Sequence, residues 1–209
     1  MDRRQALQGW LTQRLTSLEF RYSGGDEFEL RLPLNETTLR EPWLLRLELA
    51  TGVWADAPVR IRCGLGVGPV WVQSTQGPYG EDGPAYHAAR EAFLSVRDRL
   101  SLAARRDVTR PWSPAAWSAM TAVHHASHPE INTALTSLVS LMDTLSQRWT
   151  REQREVIIRL FQGHNYQHIA TELGVLPSSV AMRLRASHLD PFLFAQQALN
   201  SLLLSATES

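Results

Sequence analysis

Apolar side chains at Leu7, Trp10, Leu11, Leu15 and Leu18 recur at helical spacing among arginine and glutamine, which predicts a first helix over residues 2–19. The period then changes to two. Residues 18–22 (LEFRY) and 27–33 (EFELRLP) read as strands joined by Ser23-Gly24-Gly25-Asp26, whose glycines can take the positive φ of a tight hairpin. Leu39, Trp43, Leu44 and Leu47 restore helical spacing over 36–51, and residues 59–72 (VRIRCGLGVGPVWV) alternate like a strand until glycines interrupt them. A Gly/Pro-rich loop leads into another helix, with Ala85, Ala89, Phe93 and Val96 on one face. Residues 107–118 hold two prolines and two tryptophans and read as a connection pressed onto a surface. A long helix is expected from Pro129 to Trp149, Thr150 is placed to cap the next one, and the pattern stays helical to Ser209. The order predicts an α+β chain: an α/β domain over 1–106, a helical connector over 107–148 and an all-helical domain over 149–209.

The most specific pattern lies in residues 149–187, WTREQREVIIRLFQGHNYQHIATELGVLPSSVAMRLRAS. A helix-turn-helix needs a small residue where two helices cross, a turn residue tolerant of left-handed φ, and apolar residues that lock the pair. Ala170, Gly174 and Val180 meet those needs in order, and Ile169, Leu173, Val175 and Leu184 fill the space between. Pro177 suits the first turn of the second helix, where its missing N–H is no loss. With Val180 and Leu184 inward, Ser178, Ser179, Ala181, Met182, Arg183 and Arg185 face outward. Two arginines among short polar residues are what a helix in the major groove would present, guanidinium forking to guanine or phosphate. Gln167 and His168 are placed for backbone contacts, with Arg151 and Arg154 as additions. The spacing is similar to LuxR-type and sigma-factor region-four patterns. The expected DNA-binding set is Gln167, Ser178, Ser179, Met182, Arg183 and Arg185. Without Asn or Gln on the second helix, sequence preference would rest on the arginines and DNA shape, and a single unit would bind weakly, which predicts a homodimer.

The hairpin carries a different chemistry. LEFRYSGGDEFELRLP is similar to the GGDEF hairpin of diguanylate cyclases, with Ser23 as one extra residue before the glycines. In that family the glycines let the backbone approach a nucleotide and the carboxylates help hold two divalent cations. Gly24, Gly25, Asp26 and Glu27 would thus bind a nucleotide ligand, with Asp26 and Glu27 as Mg²⁺ ligands. The palm-type cyclase supplies a further aspartate from a preceding strand. Here a helix stands ahead of the hairpin, with Asp2 the one carboxylate before Glu19. No catalytic residue is therefore expected.

Composition narrows the partners. The 21 basic and 21 acidic residues cancel, so DNA or membrane contact must come from a local patch. Every basic residue is arginine, which fits a GC-rich genome. One cysteine, Cys63, excludes an intrachain disulfide and a thiolate metal cluster, and no apolar run reaches membrane-spanning length. A cytoplasmic protein with no membrane partner is expected.

Both halves together resemble the SatD family, in which a degenerate cyclase-like domain precedes a helix-turn-helix. The matching stretches are GGDEFELRL (24–32), VRIRCGLGVGPV (59–70), EDGPAYHAAREAF (81–93) and the 149–187 segment. The resemblance implies a ferredoxin-like, cyclase palm-like sheet whose first strand is missing, followed by the helix-turn-helix. That leaves two expectations: a start upstream of Met1, or a sheet that re-pairs its edges, as in a dimer. The function expected is a DNA-binding transcriptional regulator whose front domain senses a ligand or dimerizes. The alternative is a Mg-dependent nucleotide-binding or nucleotide-cyclizing enzyme using the hairpin.

Three lesser patterns have plainer readings. GLGVG (64–68) lacks a following helix with Lys-Ser/Thr and reads as close backbone packing or a bulge. Asp82 is read as a helix cap beside solvated His87 and Arg90, although with Glu81 and Tyr86 it could hold an anion. His124 and His128, four apart beside His125, could share a helical face as metal ligands, but without a partnering Glu no metal is expected. The tryptophans read as core or interface residues.

Overall fold

The computed structural model describes residues 3–24, 27–35, 39–54, 58–71, 82–106 and 120–207. Helix α1 (Arg3–Arg14) leads into strands β1 (Glu19–Gly24) and β2 (Glu27–Arg31), which pair antiparallel. Tyr22 stands opposite Phe28 while Gly24 stands opposite Glu27, so Ser23 is the unpaired residue of a β-bulge. Phe20, Tyr22 and Phe28 turn one face of the hairpin onto Leu11 and Leu15 of α1 and onto Leu45 and Leu49 of α2 (Arg40–Thr51). The Tyr22 hydroxyl donates to the Gln8 carbonyl at 3.2 Å. On the other face Arg21 faces Glu29, and Arg31 pairs with Glu19 across the strands.

Helix α2 is buried nearly all round, and the structure uses both sides of it. Leu45 and Leu49 face the hairpin, whereas Leu39, Trp43, Leu44 and Leu47 enter a larger cluster. That cluster continues through α4 (Asn132–Gln147), α5 (Arg151–Phe161), α6 (Tyr166–Leu173), α7 (Pro177–Ala186) and α8 (Leu189–Thr207). Phe192 of α8 sits at its centre, with ring centroids 6.2 Å from Trp43, 5.1 Å from Trp149 and 6.3 Å from Phe161. The Trp149 indole N–H donates to the Ser187 carbonyl at 2.7 Å, satisfying its polar atom inside the core. Glu48 is buried on α2, held by Arg14 Nε at 2.8 Å, and Arg14 also reaches Glu41 at 2.9 Å. Burial raises the Glu48 carboxyl above its ordinary range against the opposing pull of Arg14.

Strand β3 (Cys63–Val67) is shorter than the alternation over 59–72 suggests. It pairs in parallel with β4 (Thr121–His125), and α3 (Pro84–Arg106) packs across the pair. A Cβ on Gly64 would collide with the backbone of Ala89 and Phe93, and one on Gly66 with Ala85 and Ala89. The glycines of GLGVG therefore let a helix lie directly on a strand. The outer edge of β4 is covered by side chains of α4. The Val123 N–H donates to Thr136 Oγ1 at 3.3 Å, Thr136 returns a bond to the Val123 carbonyl at 3.1 Å, and the His125 N–H donates to Asn132 Oδ1 at 2.7 Å. The fold is α+β and mainly helical. Its described strands form two separate pairs, not one four-stranded sheet.

Candidate nucleic-acid interface

Three local caps set the boundaries of the last helices. Thr150 closes a capping box with Gln153: Thr150 Oγ1 accepts from the Gln153 N–H at 3.3 Å, and Gln153 Oε1 from the Thr150 N–H at 2.9 Å. Asn165 caps α6 by accepting from the His168 N–H at 2.9 Å. Gly174 ends α6 in the left-handed region, at φ 64°, and the Val175 N–H returns to the Ala170 carbonyl at 3.0 Å. Pro177 then opens α7. Ile169, Ala170, Val180 and Leu184 are buried, with Leu173 and Val175 packed against them, so a three-residue turn holds α6 and α7 in one bihelical unit.

Burial on one side of α7 fixes what the other side shows. Ser178, Met182 and Arg185 are exposed and lie at the i, i+4, i+7 positions of a single stripe. Met182 is 65% and the turn residue Leu176 is 69% exposed. Ser179 and Arg183 flank that stripe and are half-buried, with Arg183 close enough to Glu152 to help depress its carboxyl. The larger causes of that depression are the hydrogen bonds to the Thr150 side chain and to the Glu152 backbone. Gln167 and His168 are exposed on α6.

Arg151 and Arg154 part company. Arg151 is exposed and reaches Glu155 at 3.1 Å. Arg154 turns inward, donates to the Gln147 carbonyl at 3.4 Å, and lines a shallow open pocket with Trp43, Arg46 and Arg60. Desolvation, and then the Arg60 charge, lowers its pKa from the ordinary arginine value. It is not on the outward face of the bihelical unit. Behind the same pocket, Arg46 pairs with the fully buried Asp143 at 2.5 Å and with Thr121 Oγ1.

The other anticipated sites are placed as follows. Gly24 and Glu27 flank the hairpin tip and are paired with each other, Glu27 exposed, while Gly25 and Asp26 lie outside the described residues. Asp82 accepts from the Gly83 N–H at 2.7 Å and lies 3.1 Å from His87 Nε2 at the start of α3, both side chains exposed. Glu81 lies outside the described residues, as do Trp112, Trp117 and the 107–118 connection. Trp43 and Trp149 are buried, Trp54 is half-buried and Trp71 is 70% exposed.

The helical histidine face does not form. His124 and His125 stand on β4, where neighbours point to opposite sides. His125 Nδ1 accepts from the Ser127 and His128 N–H groups at 3.3 and 3.2 Å, and His128 pairs with Glu130 at 3.0 Å. Desolvation, with the neighbouring His128, lowers the His125 pKa and favours the neutral ring that this acceptor role requires. Burial pushes the Cys63 thiol up to about 11, so it is not a thiolate at neutral pH.

The sequence profile of one family matches residues 11–203, the hairpin and the bihelical unit included. The chain belongs to the SatD family. No curated protein and no solved structure matches it. No helix among the described residues of this SatD protein is long and apolar enough to cross a membrane.

One cluster on α6 escaped the sequence reading. Glu172 meets Arg159 Nε at 2.9 Å, His164 Nδ1 at 3.5 Å and His168 Nε2 at 3.3 Å. Partial desolvation opposes the effect, yet the Arg159 hydrogen bond and the two imidazoles hold the Glu172 carboxyl below its usual range. The signal was present as His164, His168 and Glu172 at steps of four residues, a helical face that spans a turn and a cap.

Proposed function

We propose that this SatD protein is a DNA-binding transcriptional regulator in which α6 and α7 act as a helix-turn-helix. The observation that carries this reading is the solvent-facing stripe Ser178–Met182–Arg185 on a helix whose opposite side is locked by Val180 and Leu184. In this reading α7 enters the major groove. Arg185 reaches guanine or phosphate, Ser178 and Met182 contact base edges and methyl groups, and Ser179, Gln167 and Arg183 steer the backbone. Arg183 contributes less than Arg185, because it is half-buried beside the stripe while Arg185 lies on it. The front half is taken as a ferredoxin-like, cyclase-related relic without turnover. Among the described residues its hairpin and its β3–β4 pair form separate sheets.

A second copy supplies the remaining affinity. Phe194, 70% exposed, Ala198 and Leu202 form an apolar stripe along the outer side of α8, suited to a symmetric pairing that sets two α7 helices one DNA turn apart. The protein is assigned to the cytoplasm, where such a regulator meets its DNA. Selection of genomic fragments by the purified chain tests the reading: enrichment of a discrete two-fold site supports it, and uniform recovery of fragments refutes it.

The alternative is a nucleotide site at the hairpin, built from Gly24, Gly25, Asp26 and Glu27 with Mg²⁺. It keeps its place because Glu27 is exposed at the start of β2, beside a tip whose glycines would admit a phosphate. Titration of the chain with nucleoside triphosphates and Mg²⁺, beside an Asp26→Ala/Glu27→Ala variant, decides it.

A further inference from the structure

We infer that His164, His168 and Glu172 form a binding site for a divalent metal of the zinc class at the corner between α5 and α6. One ligand atom from each residue lies within 4.8 Å of the other two. Two of the three separations are 3.5 Å, from His164 Nδ1 to Glu172, and 3.3 Å, from His168 Nε2 to Glu172. A tetrahedral zinc with N and O ligands at their ordinary bond lengths needs ligand atoms about 3.3–3.5 Å apart. His164 faces Oε2 and His168 faces Oε1, so each ring already stands at zinc-ligand spacing from one oxygen of the same carboxylate, and a bound metal would draw the three ligand atoms together.

The chain builds the corner from its own sequence. His168 and Glu172 are one turn apart on α6 and share a face. His164 lies one residue before the N-cap, and the Asn165 cap fixes the loop so that its ring folds edge-on against His168, centroids 4.4 Å apart at 90°. The Nδ1 atom of His164 is shielded from solvent and has no hydrogen-bond partner among the described residues. Glu172 thus faces both imidazoles as well as Arg159, an arrangement that a shared cation would join.

The ligand set selects the metal. Two imidazoles and one carboxylate suit Zn²⁺, Co²⁺, Ni²⁺ or Cu²⁺, whereas Mg²⁺ and Ca²⁺ want oxygen ligands. Three protein ligands leave a fourth position for water or an anion. Arg159 is the competitor. Its Nε holds Glu172 Oε2 at 2.9 Å, so the metal must share that carboxylate or displace the guanidinium, which keeps its bond to the Glu155 carbonyl at 2.9 Å. Glu172 Oε1 is the oxygen that faces His168.

The test uses the full chain and the metal alone. Calorimetric titration with ZnCl₂ is expected to give one ion per chain, Co²⁺ to give the visible absorption of a tetrahedral centre, and Zn²⁺ to raise the melting temperature. His164→Ala/His168→Ala should weaken binding at least about tenfold and abolish the thermal shift, and Glu172→Gln should weaken it as well. Arg159→Gln should tighten it by freeing the carboxylate. All four side chains are at least partly exposed, and circular dichroism checks that each variant folds. Absence of binding by the parent chain overturns the inference. So does equal binding by the double-histidine variant, which would move the metal to another group such as His124 or Cys63, or weaker binding by Arg159→Gln.

Discussion

The α6–α7 unit and the β1–β2 hairpin are both short motifs with a glycine turn, but the chain supports them differently. In the helix pair every local device points the same way: a cap at Asn165, a left-handed Gly174, a proline opening α7 and four buried residues between the helices. That agreement across levels fixes one side of α7 in the core and leaves the other facing solvent. The hairpin is held by one face. Phe20, Tyr22 and Phe28 are half-buried against α1 and α2, and its other face pairs Arg21 with Glu29 and Arg31 with Glu19.

The largest expected effect comes from attacking the two anchors in parallel. Ile169→Ala, at a fully buried position, should cost about 2–5 kcal/mol, and Phe28→Ala, half-buried, distinctly less, both read by denaturant titration. A larger loss at Phe28 would reverse the ranking of the two regions.

Gly174→Ala comes next. A Cβ there meets nothing within 4 Å, so any loss reports the left-handed backbone alone, about 1–2 kcal/mol. A neutral substitution would mean that the turn relaxes and that the helix pair is less tightly specified than its caps imply.

The smallest effect belongs to the tip. Glu27→Ala should leave stability within about 0.5 kcal/mol, since the side chain is exposed. A clear gain in stability would show like charge stored at the tip, as a cation site requires.

Much of this contrast was readable before any coordinates. Thr150, Gly174 and Pro177 act through the backbone of their own neighbours, so the sequence shows them directly, whereas the bulge that the extra Ser23 makes in β1 was not anticipated. Strand β4 was not readable. TAVHH is short, its partner β3 is more than fifty residues away, and its pairing is parallel, so neither alternation nor a turn announces it. Its histidines were weighed as a helical pair for that reason. The two-sided burial of α2 was equally hidden, because helical periodicity marks an apolar face without naming what covers it. The His164–His168–Glu172 corner crosses a helix boundary, and a search confined to one helix passes over it.

The most direct test of the DNA-binding claim is the affinity of the chain for its selected fragment at two salt concentrations, beside Arg183→Ala/Arg185→Ala and Asp26→Ala/Glu27→Ala. The account predicts that the arginine variant loses affinity and that its salt dependence falls by up to about two phosphate contacts, while the hairpin variant matches the parent. Unchanged affinity and slope in the arginine variant, with a loss in the hairpin variant, would contradict it.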